Sequence, residues 1–135
     1  IEEARGAAAA LKDTGDDALS RIGSELSRAV GTLEDASEWL TSRMGGDAVR
    51  DGLAGATPYL RLFGTVAGGH YLGVGALKAH QAMADGSAED PFLKARRSVA
   101  AFYAKTILPQ AEGLAAATMA GADDLYALTP DEMAH

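Results

Sequence analysis

Apolar residues recur along this chain at intervals of three and four, and nowhere alternate with period two for long enough to make a strand. The clearest series is Leu19, Ile22, Leu26, Val30, Leu33, Leu40 and Met44, which predicts a helix from about Asp16 to Met44. Thr14 followed by Asp17 resembles a capping box at its start, and Gly45-Gly46 is a stop. Residues 1–12 read as helical too, but with little to bury, so 1–13 is expected to be a connecting segment from an upstream domain. Residues 47–56 read as a short helical turn or linker. Thr57-Pro58 then predicts the start of a second long helix, Thr as N-cap and Pro in the first turn, ending near Asp85-Gly86. Asp90-Pro91 repeats that opening for a third helix over about 91–120. Pro109 should kink it, since the bond to the Lys105 carbonyl is impossible there, and Gly121 closes it. Thr129-Pro130-Asp131-Glu132 looks like one more helix start. The pattern predicts an all-α fold, an antiparallel bundle of three long helices plus short pieces, with the bundle over 14–128 and a tail at 129–135.

The second helix raises a question of its own. Its stretch 57–80 carries five glycines, Gly64, Gly68, Gly69, Gly73 and Gly75, each costing roughly 1 kcal/mol relative to Ala in a helix interior. Close packing must compensate. At 100° per residue, Gly64, Gly68 and Gly75 fall within about 40° of one another, beside Thr57, Ala79 and Ala82. Gly69, Gly73 and Ala76 form a second strip of small residues. Phe63, Val66, Tyr71, Val74 and Leu77 lie between the strips, so the helix is apolar nearly all round. It is expected to be central, with neighbours close on at least two sides. The spacing Gly64/Gly68 and Gly69/Gly73 would suit paired membrane helices. Yet the longest uncharged run, Leu62 to Leu77, is 16 residues and contains His70, short of the roughly 20 apolar residues a bilayer needs. A phosphate cradle fails as well, because Lys78 stands where the third glycine after Gly73 and Gly75 should be, and no strand precedes it.

Composition narrows the function. The chain has 135 residues, room for one domain with a real core, and a net charge of −7. That charge disfavours nucleic acid as a partner. It is also uneven: residues 1–56 hold 11 acidic and 6 basic side chains, 57–121 hold 4 and 6, and 122–135 hold 4 and none. There is no cysteine, which removes disulfides, thiolate metal sites and cysteine nucleophiles and favours a cytoplasmic location. The start, IEEARGAAAALK, lacks the positive region of a signal peptide, and an opening Ile reads as a piece of a longer protein.

Candidate chemistry is sparse. Neither His70 nor His80 has a Glu three residues earlier, as bundle di-iron sites require, and the two are about 80° out of line on a helix. No metal site is expected. Glu112 follows the Pro109 kink without a partner for acid–base work. Lys94, Arg96 and Arg97 cluster at the start of the third helix, where the dipole disfavours cations. They read as a solvated face, or as a binding place for an acidic surface. The candidate interface residues are therefore Trp39, Tyr59, His70, Arg96 and Arg97. No catalytic or cofactor-binding residue is assigned. The residues describe a helical packing or interaction module, with a free-standing adaptor or oligomerisation protein, or a bundle taking a small apolar ligand beside Pro109, as alternatives.

Three segments carry a resemblance: ATPYLRLFG (Ala56 to Gly64), the AGG that follows (Ala67 to Gly69), and FYAKTILPQAEGLAAATMAGA (Phe102 to Ala122). Over about Asp16 to Leu128 the chain resembles the extra C-terminal domain of a subgroup of acyl-CoA dehydrogenases that includes the methylthiopropanoyl-CoA dehydrogenases of bacterial sulfur metabolism. His70 departs from the pattern, which has a bulky aromatic there. The resemblance implies a parent flavoprotein of the fatty-acid-metabolism type, in which a glutamate removes the α-proton and FAD accepts hydride from the β-carbon. None of the FAD-binding or base-carrying motifs matches this chain, so FAD is expected in the parent and no cofactor here. The implied partners are the preceding dehydrogenase domains of the same chain, and the implied assembly is a homodimer. In such enzymes the extra domain covers the surface that smaller members use to form tetramers.

Overall fold

The computed structural model describes residues 1–134. Its order is α1 (Glu2–Lys12), α2 (Asp17–Ser42), α3 (Val49–Ala82), α4 (Pro91–Thr106), α5 (Gln110–Thr118) and the one-turn α6 (Pro130–Met133). Short 3₁₀ turns lie at Gly46–Ala48 and Asp123–Tyr126, and a wide turn at Met83–Ser87 reverses the chain, with Gly86 at φ 117°. Among the described residues there is no strand, and the all-α class read from the periodicity is the class observed.

The period-3.6 series of α2 becomes the spine of the core. Leu19, Ile22, Leu26, Val30 and Leu33 are all buried. α1 lies along it and buries Ala4, Ala8 and Leu11. The approach is close: a Cβ on Gly23 would sit 2.6 Å from the Ala8 carbonyl oxygen. The N-terminal segment is thus packed into the bundle and has more to bury than its alanine-rich sequence suggests.

α3 differs from expectation at its start. It begins at Val49, not Thr57, and runs 34 residues without interruption through Pro58. Thr57 is no cap; the 3₁₀ turn over 46–48 feeds directly into the helix. Its first turns are pinned by one contact close in sequence and one remote. Gly52 lies against Met44 and Arg43, and a Cβ at Gly55 would stand 2.3 Å from the Thr118 carbonyl oxygen at the end of α5. That packing holds a helix across a proline whose nitrogen offers no hydrogen bond.

Of the five glycines read from the sequence, Gly69 receives Leu108, whose Cδ2 would be 2.6 Å from an added Cβ. Gly73 receives Leu11, at 3.0 Å, and Gly68 receives the Tyr103 hydroxyl, at 2.5 Å. Gly75 meets Arg96 at an ordinary 3.7 Å. Gly64 is different, since no atom would lie within 4 Å of its Cβ. The helix is central in its contacts, touching α1, α2, α4 and α5. Close neighbours lie on two sides, at Gly68 and at Gly69 and Gly73, but it is not enclosed all round. Its inner strip, Leu62, Val66, Gly69, Gly73 and Ala76, is buried, and the opposite strip is exposed.

The expected third helix is two helices. α4 starts as read, with Asp90 capping the Phe92 amide at 2.8 Å and Pro91 in the first turn. It ends at Thr106, and the chain turns through 107–109 before α5. Pro109 cannot continue the ladder, and the Leu108 amide reaches back to the Tyr103 carbonyl at 3.1 Å. The consequence is a break, not a kink, and it carries Leu108 into the core at 2% exposure. α5 stops at Thr118, with Gly121 at φ 79° turning the chain away. The tail forms the capping box read from Thr129 and Glu132.

Two alanine substitutions separate the roles of these glycines. Gly64→Ala, in open space on a helix, should raise stability by about 1 kcal/mol. Gly55→Ala should lower it by about 1–3 kcal/mol, because the Thr118 backbone must move. Chemical denaturation of each variant measures both signs.

Candidate functional surface

Two carboxylates tie the helix ends together. Asp16 caps α2, accepting from the Ala18 and Leu19 amides at 3.0 Å each. The same side chain accepts from Arg97 of α4 at 2.5 Å, and His80 Nδ1 lies 3.9 Å away. The Leu19 amide and then the Arg97 guanidinium hold the Asp16 carboxyl below its ordinary value of 3.8, against the opposing effect of burial. The capping box expected from Thr14 and Asp17 does not form. Thr14 instead donates to the Leu11 carbonyl and accepts from the Asp16 amide, closing the α1–α2 turn. At the other end, Asp51 of α3 accepts from the Ala122 amide at 3.0 Å. Neither clamp was visible in the sequence, since each joins residues far apart along the chain.

The candidate interface residues separate into groups. Arg97 is committed to Asp16, and both side chains are 24% exposed. Tyr59 packs against the core, and its hydroxyl meets Ser37 Oγ at 2.9 Å. Because Ser37 already donates to the Leu33 carbonyl, Tyr59 is the donor. Trp39 is half-buried at the α2 end with the Arg43 guanidinium 5.3 Å from its ring. His70 is half-buried, its ring 5.0 Å from that of Tyr71, and its Nδ1 has no hydrogen-bond partner among the described residues. Arg96 is exposed and lies over the Phe92 ring at 5.2 Å. Tyr103 donates to the Thr65 carbonyl at 3.0 Å, and burial pushes its phenol upward.

Among the described residues no three His, Asp or Glu side chains converge as metal ligands. No helix is long and apolar enough to cross a membrane. A groove of about 620 Å³ between α2 and α4, flanked by Pro109, has an apolar floor of Ile22, Ala101 and Ala104. Its cations Arg21, Arg28 and Lys105 are exposed. A cofactor pocket needs placed polar groups in a dry wall. Thr118, buried at the end of α5, is occupied with the Leu114 carbonyl, while the buried His70 Nδ1 and Arg43 Nε have no partner among the described residues.

What the structure does present is a surface. The outer strip of α3 exposes Leu60, Phe63, Gly64 and Tyr71, and the adjoining flank of α4 exposes Phe92, Val99 and Phe102. A groove of about 310 Å³ joins the two strips, lined by Tyr71, Leu72, Gly75, Phe92, Arg96 and Val99. The apolar character of this strip was legible in the sequence; that it faces outward was not.

Fold and surface together define an all-helical bundle whose conspicuous feature is an apolar outer face on α3 and α4. The chain belongs to the family described as acetyl-CoA dehydrogenase C-terminal like, whose sequence profile matches residues 1–129. No curated protein and no solved structure gives a match.

Removing the Asp16 carboxylate tests the first clamp. Asp16→Ala should cost about 1–2 kcal/mol, from the lost cap and the unpaired Arg97. In the unsubstituted protein, the lowered carboxyl contributes stability that is complete above pH 3.8 and lost as pH falls through its folded value. Urea midpoints between neutral and acid pH should converge for the two proteins at the acid end.

Proposed function

We propose that this chain is a non-catalytic C-terminal helical domain of an FAD-dependent acyl-CoA dehydrogenase of the methylthiopropanoyl-CoA dehydrogenase type, a cytoplasmic enzyme. In this reading the domain packs on the preceding domains of the same polypeptide and biases the enzyme toward a dimer. The observation that carries it is the outer face of α3 and α4 in a member of a dehydrogenase C-terminal family. Large apolar side chains exposed along two neighbouring helices support a contact with another protein body. The chemistry, α-proton abstraction and hydride transfer to flavin, belongs in this reading to the parent's other domains. The residues here act by covering surface and fixing assembly.

Deletion of residues 1–135 from the longer polypeptide, followed by light scattering and flavin absorbance, tests the proposal. The expected result is a changed oligomeric state. An unchanged dimer with full flavin occupancy would contradict it.

A further inference from the structure

We infer that the outer face of α3 and α4 is the docking surface, and that the protein surface it takes is apolar at its centre and carries carboxylates at its rim. This rests on the reading above, with the preceding domain of the same polypeptide as occupant.

The apolar part is extensive. Leu60, Phe63, Tyr71, Phe92, Val99 and Phe102 are between 50% and 73% exposed. On α3, residues 60, 63, 64, 67 and 71 follow helical spacing, so they form one stripe opposite the buried strip of Leu62, Val66, Gly69 and Gly73. A helix apolar on two opposite faces is built to be covered on both. Gly64 sits in the middle of this stripe with nothing near it, a notch of the kind that elsewhere on α3 receives a side chain.

Charge describes the surface the occupant offers. Residues 52–84 contain no Asp or Glu, and neither does α4 from Pro91 to Thr106. The face is flanked instead by exposed Arg61, Lys78 and Arg96. None of the three has a carboxylate partner among the described residues, which is also true of Arg21, Arg50 and Lys105 elsewhere on the bundle. In a chain of net charge −7, residues 52–84 and α4 carry cations and no anions, with Asp85, Glu89 and Asp90 confined to the turn between them. They present a face complementary to an acidic neighbour. A second copy presenting the same face about a two-fold axis would set these cations against themselves, and an isologous contact repeats each residue on both sides.

The test is zero-length carbodiimide cross-linking of the longer polypeptide that carries residues 1–135, with peptide mapping by mass spectrometry. Lys78 is expected to join an Asp or Glu ahead of Ile1, and the double variant Leu60→Asp, Phe63→Asp is expected to lose that link. The isolated 1–135 chain bearing the same pair should keep its melting temperature, because both side chains are exposed. Links confined to the α1–α2 side, for example through Lys12, would overturn the docking face while leaving the domain reading intact. Links from Lys78 to Asp123, Asp124, Asp131 or Glu132 of a second copy would overturn the assigned occupant. A polypeptide with no link to any preceding domain, or no such domain, would overturn both.

Discussion

The bundle depends on how closely other segments approach the backbone of α3. Gly55, Gly69 and Gly73 leave room for the Thr118 carbonyl, the Leu108 side chain and the Leu11 side chain respectively. Leu11 and Leu108 then reach nearly complete burial. Each glycine weakens the helix that contains it by roughly 1 kcal/mol. The gain lies in the apolar area and dispersion contacts of the leucines that fill the notches, roughly 1.5–3 kcal/mol for each large side chain taken out of water. With few aromatic residues available, short interhelical distances are how this core becomes dense.

Other features serve that approach. The break at Pro109 lets α5 change direction after α4 and drives Leu108 inward. Asp16 holds the start of α2 to α4 through Arg97, and Asp51 holds α3 to the segment after α5. These are hydrogen-bonded carboxylates at element ends, where backbone amides would otherwise lack partners. They fix which helices are neighbours; the leucines and glycines fix how near they come.

Much of this was legible in the residues and some was not, for physical reasons. The regular series of α2 and the Asp90-Pro91 opening are local signals, and they marked real elements. The α1 segment was underrated because alanines look alike whether buried, as Ala4 and Ala8 are, or exposed, as Ala9 and Ala10 are. Thr57-Pro58 matched a helix start, but the contact of Gly55 with Thr118 overrides it. Arg97 looked like a free cation because its partner is 81 residues away. For α3, the sequence announced apolar faces on more than one side and left open which of them the bundle itself would cover. That uncovered side is the outer strip of Leu60, Phe63 and Tyr71.

The central claim is that α3, poor in intrinsic helix propensity, is held by its neighbours as part of the cooperative core. Native-state amide exchange, followed residue by residue under rising denaturant, addresses it most directly. The account predicts that amides from Leu62 to Ala76 exchange only with global unfolding, at the same free energy as Leu26 to Leu33 of α2. Amides of α3 that open locally and freely while α2 stays protected would contradict it.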